Sequence, residues 1–189
     1  TQWVVEDRSP AGRPPLERAG AQLVEDVEPF ERMKLRMLNG SHSTLAYLGY
    51  LAGHQYVADA IGDAAFRRLI HGLMTDDAMP TLPMPRADLE SYRDRLLERF
   101  ANPALNHRTW QTAMDGTQKL PQRLLGTIRD RLAAGQGITR LALGAWVRAE
   151  VAFPSTMVDR IVPATTDADR TVVAEITGVE DAWPIVTEP

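Results

Sequence analysis

Residues 33–49 read Met33-Lys-Leu-Arg-Met-Leu-Asn-Gly-Ser-His-Ser-Thr-Leu-Ala-Tyr-Leu-Gly49, and they contain the densest polar cluster inside an apolar pattern in this chain. Apolar side chains recur at three- and four-residue spacing from Pro29 to about Ala60, which predicts one long helix or two nearly collinear helices. Pro29 suits a first helical turn. Asn39-Gly40-Ser41 is the expected irregular point. The stretch therefore predicts a mainly α fold.

Helical patterns continue beyond this stretch. Asp63 is expected to cap a helix that runs to about Met74, and Asp88 is expected to cap a helix that ends at Phe100, because both residues precede apolar periodic runs. Three further patterns are predicted to be helical: 109–115, 119–134 and 138–150. Short β-strands are predicted only near residues 1–8 and 151–189.

Composition excludes several classes of protein. The chain has 189 residues, 44% of them apolar, which is enough for one substantial core. Its net charge of −4, with acids and bases alternating, does not favour nucleic-acid binding. No apolar run is long enough to cross a bilayer and no secretion signal is visible, so a cytoplasmic protein without membrane attachment is expected. The absence of cysteine excludes disulfides and thiolate chemistry.

Lys34, Asn39 and His42 are the candidate catalytic residues. On an α-helix they would share one broad face, although the rise from Lys34 to His42 would be about 12 Å. Burial disfavours the charged form of an amine, so a lysine in such a helix could act as a base, while Asn and His could hold an oxygen that gains negative charge. The alternative, a solvated lysine and a hydrogen-bonded core histidine, stays open on spacing alone.

Residues 33–49 resemble the C-terminal-domain signature of the mannitol dehydrogenase family, the polyol-specific long-chain dehydrogenases that include fructuronate (mannonate) reductases. Further stretches are similar to the same family in the same order, so that the resemblance covers about residues 1–150: 1–8, 22–27, 99–105 and 109–123. It implies a helical C-terminal dehydrogenase domain that binds a polyol or sugar acid. The implied reaction is a metal-independent interconversion of a secondary alcohol and a ketone, with NAD or NADP as cofactor.

The family's motif of Lys, four residues, Asn, two residues and His falls on Lys34, Asn39 and His42. The resemblance implies that the lysine takes the hydroxyl proton while the other two position the oxygen. Three further residues are implied to bind substrate: Lys119, Asp159 and Arg108. Lys119 matches a second family lysine. Arg108, with His107 beside it, is the nearest basic candidate to Gln111, which stands where some family members carry arginine.

The order of the segments departs from the family pattern. Residues 153–166 resemble a segment that normally precedes the Gln-Trp-Val-Val-Glu-Asp stretch at residues 2–7, so the chain is interpreted as a circular permutation of a family fragment. We expect Pro189 and Thr1 to lie close together. The predicted domains are a helical substrate and catalytic domain at residues 1–150 and a segment at residues 151–189 that packs next to residues 1–10.

No Gly-x-Gly-x-x-Gly motif joins a strand to a helix, so no complete Rossmann domain is expected and a separate dinucleotide-binding domain is the implied partner. No His-Glu-x-x-His or comparable spacing predicts a metal site. A non-catalytic helical interaction domain and a sugar-binding module remain alternatives from other functional classes. Cofactor titration would separate them from an enzyme.

Overall fold

The computed structural model describes residues 3–137. Its N-terminal part is a two-stranded parallel sheet of β1 (Val4–Glu6) and β2 (Gln22–Val24), in which Val4 lies opposite Gln22 and Glu6 opposite Val24. A short 3-10 helix, Leu16–Ala19, lies in the connection between the strands. The strand predicted within residues 1–8 is therefore confirmed. The second strand falls in a stretch for which the sequence pattern predicted no element.

Helices form most of the remaining described chain, which confirms the mainly α prediction. The α-helices are α1 (Glu28–Met33), α2 (Gly40–Leu51), α3 (Val57–Gly62), α4 (Ala64–Gly72), α5 (Arg86–Phe100), α6 (Thr109–Ala113), α7 (Gly116–Leu120) and α8 (Gly126–Ala133). Three π-helical segments are Lys34–Asn39, Leu73–Ala78 and Pro121–Leu125, and two more 3-10 helices are Met79–Thr81 and Pro103–Leu105.

The π-helical segments are built into continuous helices. The first joins α1 to α2, the second follows α4, and the third joins α7 to α8. At the end of each segment a backbone N–H donates to the carbonyl five residues earlier, as from Gly40 to Leu35 and from Gly126 to Pro121. Each long helix therefore changes its bonding pattern without a break in the chain direction.

The long helix predicted from Pro29 to Ala60 is shorter and irregular in a different place. It ends at Leu51, and Gly53 adopts a positive φ of 83° in the turn that leads to α3. Gly40 itself has regular helical angles, φ −62° and ψ −52°, whereas the irregularity lies just before it in the π-helical segment. The predicted irregular point at residues 39–41 thus overlaps the π-helical segment at Asn39, whereas the predicted end of the helix near Ala60 is too late.

Two capping predictions had different outcomes. Asp63 caps α4 as predicted, because its Oδ1 accepts a hydrogen bond from the Ala65 N–H at 2.7 Å. Asp88 does not cap α5, which begins two residues earlier at Arg86 with Pro85 as its N-cap. Asp88 instead lies in the first turn, where its charge is favourable near the helix N-terminus.

Helix α2 is the centre of the core. Most of its residues are buried, and it contacts α3, α4 and α6. A Cβ on Gly49 would lie 3.1 Å from the Ala60 Cβ, so this position brings α2 and α3 into close contact. The largest fully buried side chains are Phe66, Met37, Leu45, Leu48, Ile61, Ile70, Leu73, Met74, Leu89 and Leu124.

The third π-helical segment crosses the beginning of α2 at Gly40. A Cβ on Gly40 would lie 2.9 Å from the Arg123 carbonyl oxygen and 3.3 Å from Leu124 Cδ2. A second connection joins the same two helices, because buried Arg36 forms an ion pair with Asp130 of α8, with Nη2 and Oδ2 2.6 Å apart. These contacts fix the first π-helical segment against the third.

Several predictions lie outside the described residues: the helix at 138–150, the strands within 151–189, Asp159, and the proximity of Pro189 to Thr1. In the part of the chain that the structure describes, no helix is both long enough and apolar enough to cross a membrane.

Candidate functional site

The first π-helical segment begins at Lys34 and ends at Asn39. On a regular α-helix these residues would be separated by about 140°. In a π-helix the backbone hydrogen bonds join residues five apart, so the angle between residues i and i+5 is smaller than in an α-helix. Lys34 is exposed, so the burial expected for a lysine in this helix is not observed, and Asn39 is half-buried. The bonding pattern therefore favours a common face for the two side chains.

His42 lies in the first turn of α2 and packs between two rings from other parts of the chain. Its imidazole stacks on Phe100, with ring centroids 5.6 Å apart and an interplanar angle of 24°. The ring of His107 lies on it at 5.1 Å and 47°. Nε2 of His42 is buried and has no hydrogen-bond partner among residues 3–137. A buried ring nitrogen without a partner is free to form a hydrogen bond with a ligand hydroxyl or carbonyl: it donates if it carries the proton and accepts if it does not.

Burial and positive charge together keep His42 neutral. Its pKa is lowered to about 4, mainly because burial disfavours the imidazolium. Nearby cations lower this pKa further: His107, Arg123, Arg99 and Lys119. No carboxylate is among the groups that act on His42 in the described chain. At neutral pH the imidazole is therefore uncharged, and the charges of Arg123, Arg99 and Lys119 act on it.

Arg123 is the most enclosed arginine of this set. Its Nη1 donates a hydrogen bond to Ser43 Oγ at 3.0 Å, and burial lowers its pKa while Tyr47 raises it. Within residues 3–137 neither Arg123 nor Arg99 forms an ion pair with a carboxylate. Arg99 is exposed near the end of α5. The guanidinium of Arg123 is thus partly desolvated and held by a neutral hydroxyl.

The predicted substrate residues differ in their position. Lys119 is half-buried in α7. Its Nζ donates a hydrogen bond to the Met114 carbonyl at 2.6 Å and lies 3.6 Å from Asp115 Oδ2. Its charge contributes to the lowered pKa of His42. Arg108 is exposed at the N-cap of α6, where its backbone pairs with Tyr56 in an isolated antiparallel bridge. Its charge is not among those that act on His42.

Comparison with known proteins decides the family. The model of the mannitol dehydrogenase C-terminal domain matches residues 26–155. This chain belongs to the mannitol dehydrogenase family. D-mannonate oxidoreductase of Escherichia coli (strain K12) is 55% identical over 150 residues, which are 78% of this chain and 31% of that protein. Mannitol dehydrogenase 2 of Saccharomyces cerevisiae (strain ATCC 204508 / S288c) is 40% identical over 151 residues, 78% of this chain and 30% of that protein.

Solved structures show the same family. D-sorbitol dehydrogenase in substrate-free form matches with a TM-score of 0.74 and 39% identity, over 79% of this chain and 31% of that one. The ternary complex of Pseudomonas fluorescens mannitol 2-dehydrogenase with NAD and D-mannitol matches with a TM-score of 0.73 and 38% identity, over 79% and 30%. This member of the mannitol dehydrogenase family thus spans about a third of the length of these relatives.

Three basic residues whose charges act on His42 were not among the predicted site residues: Arg99, His107 and Arg123. His107 was named only beside Arg108, as a basic residue near Gln111. Arg99 begins, and Arg123 ends, stretches that resemble the family. That position was the available signal, but a one-dimensional pattern does not show that the two stretches meet at His42.

A cavity of about 200 Å³ lies beside this group and is walled in part by Phe100 and His107. Polar side chains at its wall include Tyr56, Asn102 and Asn106. The same two rings that hold His42 thus separate it from a small open space.

The residues described here do not fit a metal or a dinucleotide. Between residues 3 and 137 no group of three or more His, Asp or Glu side chains is placed to bind a metal ion. The one sheet of that region has two short strands, so it offers no strand, glycine-rich turn and helix of the kind that holds a pyrophosphate.

Proposed function

We propose that this chain forms the substrate-binding and proton-transferring part of an oxidoreductase that interconverts a secondary alcohol and a ketone in a polyol or sugar acid. The observation that supports this proposal is the π-helical segment that begins at Lys34 and ends at Asn39, with a neutral His42 three residues beyond it. A π-helical segment within an α-helix frequently marks a functional site.

In this proposal Lys34 is the base. As the alcohol is oxidised, its hydroxyl proton passes to Nζ of Lys34, and a proton returns from this nitrogen to the oxygen when a ketone is reduced. Asn39 and His42 hold the reacting oxygen by hydrogen bonds, which stabilise the negative charge that develops on it. The unpartnered Nε2 of His42 has a free hydrogen-bonding position for this purpose.

The chain's use of basic residues supports these roles. Lys34 and Lys119 are the only lysines among the 21 Lys and Arg residues of the sequence. Arginine stays protonated in proteins and cannot serve as a base, whereas lysine can. The two positions that match family lysines, 34 and 119, are therefore the two at which this chain has lysine, whereas its other Lys and Arg positions are all arginine.

We propose NAD or NADP as the hydride carrier, bound by a dinucleotide-binding part outside residues 3–137. The relative solved with NAD and D-mannitol supports this choice, as does a 42% identical polyol:NADP oxidoreductase of Gluconobacter oxydans (strain 621H). Lys119 is proposed to bind substrate hydroxyls beside His42. Arg108 and Asp159 remain proposed substrate residues, and the domain division at residue 150 remains a prediction.

The decisive test replaces the proposed base. In the full-length protein that carries this chain, nicotinamide absorbance reports oxidation of D-mannitol and D-mannonate. Lys34→Met is expected to lower kcat at least 100-fold, because general-base catalysis typically contributes 10² to 10⁴. Lys119→Met removes the other amine and is expected to raise KM more than it lowers kcat.

Two results would contradict the proposal. If Lys34→Met turns over at the wild-type rate, the lysine is not the base. If the wild-type protein binds D-mannitol or D-mannonate but transfers no hydride to NAD or NADP, the domain is a sugar-binding module instead.

A further inference from the structure

The charges around His42 come from four separate elements. Arg99 lies in α5, His107 in the loop before α6, Lys119 in α7 and Arg123 in the third π-helical segment. Of these four, Lys119 alone forms an ion pair with a carboxylate within residues 3–137, with Asp115 at 3.6 Å. Asp59 lines the same cavity as His107, although no ion pair joins them among the described residues. The fold therefore brings several like charges toward one imidazole with little compensation.

Arg123 is fixed at this place by the backbone. Its carbonyl lies against Gly40, one residue after Asn39, and its guanidinium donates to Ser43, one residue after His42. The helix contact thus fixes the backbone of Arg123, and the hydrogen bond to Ser43 directs its guanidinium. The guanidinium thus lies beside the residues that are proposed to hold the reacting oxygen.

An enclosed guanidinium without a counter-ion is costly, because burial removes solvation that no carboxylate replaces. Mutual repulsion with Arg99 and Lys119 adds to this cost. A bound anion removes both costs, and the planar guanidinium suits a carboxylate, which it can bind through two parallel hydrogen bonds. A neutral polyol offers only hydroxyls and would leave the charges uncompensated.

We propose that Arg123, together with Arg99 and His107, forms a carboxylate receptor beside His42 and makes this site selective for sugar acids over neutral polyols of the same length. The inference rests on the proposed function, because it assigns the substrate class of the same site. His42 and His107 are 5.1 Å apart, which is the span of a few carbon–carbon bonds of about 1.5 Å each. One short sugar acid can therefore reach both the oxygen-holding group and the receptor.

A phosphate of the cofactor is the other anion to consider. We assign the receptor to the substrate because Arg123 is held between Gly40 and Ser43, directly beside Asn39 and His42. A phosphate bound there would occupy the space that the reacting oxygen requires. Binding of inorganic pyrophosphate, compared with binding of D-mannonate, separates these two sources of negative charge.

The kinetic test compares D-mannonate with D-mannitol in the full-length protein that carries this chain. Arg123→Gln is expected to lower the ratio of kcat/KM for D-mannonate to that for D-mannitol at least 30-fold. Arg129→Gln is the matched control, because Arg129 is exposed on α8 and its charge does not act on His42. This control is expected to leave the ratio within 2-fold of wild type.

A second variant, Arg99→Gln, keeps the test informative if Arg123→Gln does not fold. Arg99 is exposed, so Arg99→Gln is expected to fold normally and to lower the same ratio about 5-fold. If folded Arg123→Gln and Arg99→Gln both keep the wild-type ratio, the receptor assignment is wrong. A wild-type preference for D-mannitol would also overturn it, while leaving the proposed oxidoreductase function intact.

A binding arm works without turnover. Calorimetry of the 189-residue chain is expected to show D-mannonate binding that Arg123→Gln weakens at least 10-fold, and weaker binding of D-mannitol. If inorganic pyrophosphate binds more tightly than D-mannonate and loses its affinity in Arg123→Gln, the site belongs to the cofactor and the proposal fails. If the kinetic experiment shows no hydride transfer but calorimetry still shows D-mannonate binding that depends on Arg123, the proposed oxidoreductase function is wrong and the carboxylate receptor stands.

Discussion

The imidazole of His42 lies 5.1 Å from that of His107, ring centroid to ring centroid, although one belongs to the central helix α2 and the other to the loop before α6. The carbonyl of His107 accepts a hydrogen bond from the Val57 N–H at 2.9 Å, which fixes this loop against α3. Two such rings cannot both carry a charge at low cost. Burial is the main cause that keeps His42 neutral over the physiological pH range, and the neighbouring His107 adds to it.

This arrangement predicts a loss of stability in acid. The pKa of His42 is about 4 in the folded chain and near 6.5 when unfolded, so between these pH values the unfolded state binds more protons. The free energy of unfolding should fall as pH drops from 6.5 to 4, by up to about 3 kcal/mol from this residue. Urea denaturation of wild type and His42→Asn across this range measures the difference. His71→Asn, at an exposed position, should keep the wild-type slope, and equal slopes in wild type and His42→Asn would contradict the prediction.

The helix crossing at Gly40 predicts a position-specific cost of alanine. Gly40→Ala would place a Cβ 2.9 Å from a backbone oxygen of Arg123, which has little freedom to move, so we expect destabilisation of about 1–3 kcal/mol. Gly62→Ala is the matched control, because a methyl group at that position would have no other atom within 4 Å and alanine favours helix. It should stabilise the chain by up to about 1 kcal/mol. If chemical denaturation shows that the free energy of unfolding changes in the same direction in both variants, the close contact at Gly40 does not determine the cost of alanine.

The ion pair of Arg36 with Asp130 is expected to contribute more than surface pairs. Arg36 is buried, and it also donates to the Thr81 carbonyl at 3.3 Å. Asp130→Asn would leave that guanidinium without its counter-ion, at a cost of about 1–3 kcal/mol, since Asp130 itself is half exposed. Glu90→Gln, which breaks an exposed pair with Arg86, should cost less than about 0.5 kcal/mol. If thermal denaturation shows equal losses of stability in Asp130→Asn and Glu90→Gln, burial of Arg36 does not strengthen its ion pair.

A buried hydroxyl is expected to stabilise the loop before α3. Thr109 Oγ1 donates to the His54 carbonyl at 2.8 Å, across a large sequence separation. Thr109→Val keeps the shape of the side chain and should lose about 1 kcal/mol, whereas Thr44→Val should lose less, because Thr44 only bonds the Gly40 carbonyl of its own helix. Hydrogen exchange of the Val57 amide should increase in the first variant and stay unchanged in the second.

The sequence predicted the helical class, the cap at Asp63 and the polar cluster at residues 34–42, because apolar periodicity and capping are local properties. It did not predict the π-helical segments. The choice between bonds four and five residues apart depends on what packs against the helix, and at Gly40 that partner is Arg123, far along the chain. The cationic surroundings of His42 were missed for the same reason, since they assemble only when four separate elements meet.

The π-helical bonding from Lys34 to Asn39 has a consequence for insertions and deletions. A π-type turn holds one residue more than an α-type turn, and each residue of an α-helix turns the chain by about 100°. Deleting a single residue between these positions would return the turn to α-type bonding and leave Lys34 and Asn39 four positions apart, which on an α-helix is an angle of about 40°. The extra residue is thus absorbed within one turn, and we expect a relative with one residue fewer there to keep both the fold and the direction of its lysine.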